Sequence, residues 1–215
     1  MSNVTNRDGW VDSCIQVMGD DLGNLFGLLC KEMWELCHEH DTYRALFQQS
    51  SDVLSLLNGA APDFFGLTQT LLFNSIALRI ARITDPEVSG RERQANLTLE
   101  RLGSITQLPE VIEGACRVKK VAEPFRLWRH KVIAHTDLTA ATIGFPPNFT
   151  GEQIDKVKAQ IENCLKLVGQ QYNFSVNSDG WTDVKGLIRH LRAAKPELER
   201  QRKIEDVIIS GYSVD

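Results

Sequence analysis

Arg129 and His135 stand six positions apart in the stretch RHKVIAHTD, residues 129–137. A guanidinium is a planar, always charged fork that fits the non-bridging oxygens of a phosphate. An imidazole passes a proton to or from a hydroxyl at neutral pH. Side by side they suit phosphodiester chemistry. The sequence shows no convergent Asp/Glu cluster for holding Mg²⁺, and no metal or other cofactor is expected. With RNA as substrate none is required, because its own 2′-OH can be the nucleophile. Two bland readings stand beside this one: His135 as a helix C-cap, and Arg129 as a surface ion pair with Glu123 or Asp137. In a chain with 14 Arg and 5 His, an Arg followed by a His after four to six residues is expected about once by chance.

The pair sits at the end of a long apolar stripe. Val111, Ala115, Val118, Ala122, Phe125, Trp128 and Val132 step by three or four residues, the spacing of one helix face. Pro124 lies inside it, and the unbroken phase predicts a kink and not a break. At about 100° per residue, Arg129 and His135 fall about 60° either side of Val132. His130 and Arg126 lie further round on the Arg129 side. The last turn of a helix favours a cation, so His135 is placed to be partly charged near neutral pH.

The remaining elements read as helices too. Apolar residues Leu22, Leu25, Phe26, Leu29, Met33 and Leu36 mark a helix from Trp10 to about His40, which Gly19 and Gly23 would bend. Tyr43–Phe47 and Ser51–Asn58 read as short helical turns. Pro62 opens a helix that Asp85-Pro86 stops. Its apolar residues lie nearly all round, which predicts a central position. One stripe, Thr68, Ser75, Arg79 and Arg82, is polar. Arg79 and Arg82 must meet a carboxylate, with Asp85 the nearest in sequence, or an anion. Residues 86–96 read as a polar loop and 98–106 as a short helix. Residues 137–149 read as loop. Thr150–Gln153 is a capping box that opens a helix to about Tyr172. A last helix near 182–194 is limited by Pro196, and the tail from Glu197 is expected to order only on a partner. No strong strand signal is present.

Composition bounds the function. A chain of 215 residues suits a single domain over 1–215, with its core at about 20–175 and a C-terminal helix and tail in 176–215. Such a chain buries roughly 70% of its unfolded surface. The five cysteines (14, 30, 37, 116 and 164) form no CxxC pair and read as reduced thiols, so a cytoplasmic location is expected. The N-terminal MSNVTNRDGW has no basic n-region or apolar h-region, so no secretion signal is read there. No run of 18 apolar residues occurs, so no membrane span is expected. Cys37-His38-Glu39-His40 puts only Cys37 and His40 on one helix face, too few ligands for zinc, and reads as a solvated helix end. Net charge is −4, which argues against indiscriminate nucleic-acid binding. It is uneven, however: residues 117–135 carry six Lys/Arg against Glu123 alone, and 185–203 carry seven basic side chains against two acidic. A basic helix within an acidic chain can bind phosphate locally.

Several phrases together resemble the HEPN superfamily, whose signature is an Arg, a polar residue, four to six residues and a His late on a long helix. The match here is RHKVIAH (129–135). The likeness is closest to the abortive-infection branch, through Ala81-Arg82-Ile83-Thr84-Asp85-Pro86, Asn96-Leu97-Thr98-Leu99 and LLNGAAPDFF (56–65). It runs from about residue 20 to 195, with the phrases in the expected order. The resemblance implies an all-α fold, an up-and-down helical bundle with additional N- and C-terminal helices. It also implies a metal-independent endoribonuclease acting as a toxin or phage-defence effector. Arg129 would bind phosphate and transition-state charge, His135 would be the acid/base, and His130 the polar neighbour, a position where Asn or Asp is commoner. Arg126, Lys131, Arg79 and Arg82 are the candidate substrate-binding cations. Some relatives carry a Tyr two residues after the His, modified by a partner nucleotidyltransferase. Asp137 stands there in this chain, so that control is not expected.

The expected partners are RNA and a second copy of the chain, with an antitoxin protein a further candidate. One Arg/His pair on one helix makes an incomplete phosphate site, and a two-fold axis would supply the second pair. The alternative functions are a non-catalytic HEPN module binding RNA, a nucleotide or a partner protein, and a helical interaction protein whose Arg/His pair is structural.

Overall fold

The computed structural model describes residues 7–90, 94–134, 149–176 and 182–211. Its helices are α1 (Arg7–Met18), α2 (Asp20–Phe47), α3 (Ser51–Ala60), α4 (Pro62–Ile83), α5 (Leu99–Thr106), α6 (Pro109–Val121), α7 (Glu123–Trp128), α8 (Gly151–Gln171) and α9 (Val184–Gly211). A π-helical segment, Arg129–Ala134, follows α7 directly. The fold is all-α, as the periodicity predicts. Among the described residues the one addition is a small antiparallel hairpin, β1 (Val88–Ser89) paired with β2 (Gln94–Ala95), inside the stretch read as a polar loop. Two residue pairs are too short to leave a period-2 signal.

The chain forms two compact units, residues 1–37 with 74–180 and residues 38–73 with 181–215. The boundary falls inside α2 and α4. In the first unit, α6 packs against α5 and α8. Its core takes Phe26, Leu29 and Met33 from α2, Ile76, Ile80 and Ile83 from α4, and Ile161 and Leu165 from α8, all essentially without solvent exposure. Val111, Ala115, Val118, Ala122 and Phe125 are buried with them. In the second unit, Leu46, Val53, Leu57, Phe65 and Val184 form the core, and α9 packs on α3.

The expected helix from Trp10 to His40 is two helices. Gly19 adopts φ +82°, a left-handed conformation that ends α1 with little steric cost only at glycine. Tyr43–Phe47 belongs to α2. Gly23 lies within the continuous helix α2. It lets α1 lie directly against it: a Cβ there would meet the Cys14 carbonyl oxygen at 2.5 Å and the Ile15 Cα at 2.5 Å. Backbone cannot yield as a flexible side chain can. Gly23→Ala should therefore cost about 1–3 kcal/mol and lower the thermal midpoint by roughly 2–12 °C. Gly59→Ala in α3, where an added Cβ meets nothing within 4 Å, should not lower it. Equal midpoints for the two variants in a thermal melt would contradict this packing.

α4 corrects a second expectation. It is not central along its whole length. Ile76, Ala77, Ile80, Ala81 and Ile83 are buried, whereas Phe64, Leu67 and Leu71 are 62%, 59% and 59% exposed. By length and composition alone the helix is apolar enough to cross a membrane. Its second half is a core helix, with Arg79 and Arg82 paired to Glu32.

Both proline predictions also need correction. At Pro124 the helix breaks: α6 ends, Ala122 makes a turn, and α7 restarts at Glu123. Pro124 offers no N–H to the carbonyl four residues earlier, and its ring crowds that carbonyl. The apolar stripe still runs through the break. Pro196, by contrast, stops nothing, and α9 continues through it to Gly211. The residues beyond it are strong helix formers, with the ion pair Lys195–Glu199 spanning the proline and Glu197–Arg200 in the turn after it. The Thr150 box forms as predicted: Gln153 N–H donates to Thr150 Oγ1 at 3.3 Å and Thr150 N–H to Gln153 Oε1 at 2.7 Å.

Candidate active site

The end of α4 and the α7–π segment meet side chain to side chain. α4 closes in Thr84-Asp85-Pro86. Thr84 is buried and its hydroxyl donates to the Ile80 carbonyl at 2.8 Å. The same oxygen accepts from Arg126 Nη1 at 3.3 Å. Arg126 Nη1 also lies 3.4 Å from the Thr84 carbonyl. Its Nη2 donates to the Lys119 carbonyl at 2.7 Å and pairs with Glu123. Lys119 O is one of the carbonyls that the break before Pro124 leaves over at the end of α6. Arg126, expected among the substrate-binding cations, thus spends both terminal nitrogens on structure. It braces the break and ties α7 to the end of α4.

One turn on, Arg129 Nη1 meets Asp85 Oδ2 at 2.5 Å, with side chains 29% and 20% exposed. Glu123, one of the two carboxylates close in sequence, pairs with Arg126 instead, and the other, Asp137, lies outside the described residues. Among the described residues Asp85 is the one partner of the Arg129 side chain, and it engages one of the guanidinium's five N–H donors. Arg126 and Arg129 therefore differ: the first is used up, the second is held at one corner.

Arg79 and Arg82 are also paired, but not with Asp85. Glu32 Oε2 receives Arg79 Nη1 at 2.8 Å and Arg82 Nη2 at 2.8 Å. Asp85 is three residues from Arg82 yet pairs with Arg129 at the start of the π segment, and the carboxylate that Arg79 and Arg82 share comes from α2. His130 is exposed and Lys131 half-buried, both on the π segment. His135 and Asp137 lie outside the described residues.

The π segment changes the geometry that a straight helix would give. Its i→i+5 hydrogen bonds widen the turn, so the 100° step, and with it the placement of Arg129 about 60° from Val132, does not carry across residues 129–134. π turns inside helices occur frequently at functional sites. Here the segment begins at Arg129 itself. Trp128, just before it, is fixed by Nε1–H donating to Asn74 Oδ1 at 3.0 Å and by an edge contact with Phe149 at 6.1 Å between ring centroids. Phe149 also packs on Phe125 at 4.2 Å.

A second shell of contacts holds the turn after α4. Asn96 Nδ2 donates to the Pro86 carbonyl at 2.8 Å and Asn96 N–H to the Glu87 carbonyl at 2.8 Å. Glu100 Oε2 accepts from the Glu87 N–H at 3.0 Å and pairs with Lys119 at 3.2 Å. Thr98 caps α5 by accepting the Arg101 N–H. The phrases at 81–86 and 96–99 are thus two halves of one support beneath Arg126 and Arg129. Sequence reading singled out both phrases but not what joins them.

Other chemistry-bearing groups sit elsewhere. Cys37 and His40 are buried within α2, not at a solvated helix end. Among the described residues no three His, Cys, Asp or Glu side chains are grouped to hold a metal ion. Burial pushes the Cys14 and Cys164 thiols up to about 11 and Cys30 further still, so these three are not thiolate nucleophiles at neutral pH.

The family whose model matches this chain is HEPN_AbiU2, described as AbiU2, over residues 19–192. No curated protein and no solved structure matches the chain.

Proposed function

The chain belongs to the HEPN AbiU2 family, and on that premise we propose that it is a metal-independent endoribonuclease, a toxin or phage-defence effector. Arg129 binds the scissile phosphate and its transition-state charge. His135 moves the proton between the 2′-OH and the leaving oxygen, and His130 is the polar neighbour. Lys131 belongs to the basic approach; Arg126 is a brace. The observation that carries this reading is the state of Arg129. It is partly buried and, among the described residues, held by Asp85 through a single terminal nitrogen, which leaves the other donors of the fork unspent on those residues and suited to phosphate oxygens.

The working unit is a symmetric homodimer with the two copies of residues 125–137 near the two-fold axis. One copy then supplies the base and the other the acid, and two strongly basic segments form one groove. RNA binding by that groove should weaken steeply with salt.

The second reading, a non-catalytic module, has one observation on its side: a carboxylate already neutralises Arg129. Cleavage of a mixed-sequence RNA in excess EDTA, followed alongside sedimentation, separates the two. The expected result is cleavage by a species of twice the 24.2 kDa chain mass. RNA binding without cleavage at any protein concentration would favour the module. A 24.2 kDa monomer cleaving at full rate would rule out the composite site.

A further inference from the structure

We propose that Asp85 is a positioning residue for the cleavage reaction: its carboxylate fixes the Arg129 guanidinium so that the remaining donors are already aimed when the phosphate arrives. This rests on the phosphodiester-cleaving reading above and deepens it.

Four observations carry the inference. Asp85 is the one partner of Arg129 among the described residues, and it bonds a corner of the fork, not both terminal nitrogens. Asp85 is itself firmly mounted. Its N–H donates to the Arg82 carbonyl at 3.3 Å, Thr84 before it is buried, and Pro86 after it has a fixed φ and a carbonyl held by Asn96. The pair is also not a freely solvated surface contact, since both side chains are mostly covered, so solvent screens it less. The Arg126–Thr84 contact one turn earlier sets the same register a second time. Thr84 and Asp85, consecutive in sequence, receive two arginines three residues apart.

A flexible arginine must lose its rotamer freedom when it binds the reacting phosphate. One already held in place contributes more to the transition state than to ground-state binding. The opposite role is equally definite: a carboxylate that merely competes with phosphate for Arg129 would be inhibitory. The two roles predict opposite signs. Removing a positioning residue slows the chemical step. Removing a competitor tightens RNA binding and speeds the reaction.

Asp85→Asn keeps the size and one acceptor oxygen but not the charge. Single-turnover cleavage, affinity for an RNA with a 2′-deoxy at the scissile position, thermal melting and the side-chain ¹⁵N–¹H signals of the Arg129 Nη groups are measured on this variant and on wild type. The expected result is a cleavage rate about 10- to 100-fold lower, with affinity for the uncleavable RNA within about threefold. The melt should keep the wild-type form, and the Arg129 Nη–H groups should exchange faster with water than in wild type. Cleavage at the wild-type rate or above overturns the proposal, and so does a loss of affinity that accounts for the whole loss of rate. Should Asp85→Asn not fold, Asp85→Ser and Asp85→Glu are judged by the same criteria. If wild type itself cleaves no RNA, the proposed activity fails. The Nη–H signals then decide by themselves: exchange unchanged by the substitution overturns the positioning of Arg129 by Asp85, and faster exchange retains Asp85 as the residue that holds Arg129.

Discussion

His135→Ala is expected to lower RNA cleavage by about 10²- to 10⁴-fold, the range a positioned general acid or base contributes. Arg129→Ala should fall at least as far, because it removes the fork and also leaves the partly buried Asp85 carboxylate without its partner. Arg129→Lys should recover little, since a point charge cannot hold two phosphate oxygens and Asp85 together. His130→Ala, at an exposed position, should be the mildest of the set. Gel-resolved cleavage rates check the ranking, with circular dichroism as the control for folding. Wild-type rates in both Arg129→Ala and His135→Ala would move the chemistry elsewhere in the molecule. Unfolding of both would return the pair to a structural role. The folding cost of Arg129→Ala alone should be modest, because Arg126, Trp128 and Phe125 hold the same segment through independent contacts.

A single 2′-deoxy nucleotide at a mapped cleavage position should abolish scission of that bond and leave neighbouring bonds unaffected. The reason is chemical. Among the described residues no grouped carboxylates stand ready to hold an activating metal, and three of the buried thiols are pushed toward their protonated form. In the proposed reaction the nucleophile belongs to the substrate. Remove it and the arginine and histidine have nothing to activate. A DNA strand of the same sequence should be inert for the same reason, though it should still bind through its phosphates. Scission of the deoxy-substituted bond at the rate of the all-ribose strand would show that water, not the 2′-OH, is the attacking group.

Much of the fold was legible where the information is local. The stripe from Val111 to Phe125 is buried as its spacing predicts. The capping box at Thr150 forms, and Pro62 opens α4. Gly19 was read only as a bend, because sequence does not say which glycine will take a left-handed φ. Pro124 and Pro196 have the same local chemistry and opposite outcomes. In the first, Arg126 is available to satisfy a released carbonyl. In the second, the ion pair Lys195–Glu199 spans the proline. The partners of the arginines were not legible. Arg129 pairs with a residue 44 positions away and Arg79 with one 47 away, and Asp85 beside Arg82 turned out to face another helix. Such pairings are set by how helices pack, which periodicity does not fix. The exposed half of α4 was missed for a related reason: Phe64, Leu67 and Leu71 look no different in sequence from the buried Ile76 and Ile80.

The most direct measurement is the identity of the ends that cleavage leaves in excess EDTA. Mass spectrometry of the fragments should find a 2′,3′-cyclic phosphate on the upstream piece and a 5′-OH on the downstream piece, with a rate unchanged by added Mg²⁺. A 3′-OH with a 5′-phosphate, or activity that vanishes in EDTA and returns with Mg²⁺, would contradict 2′-OH attack assisted by Arg129 and His135.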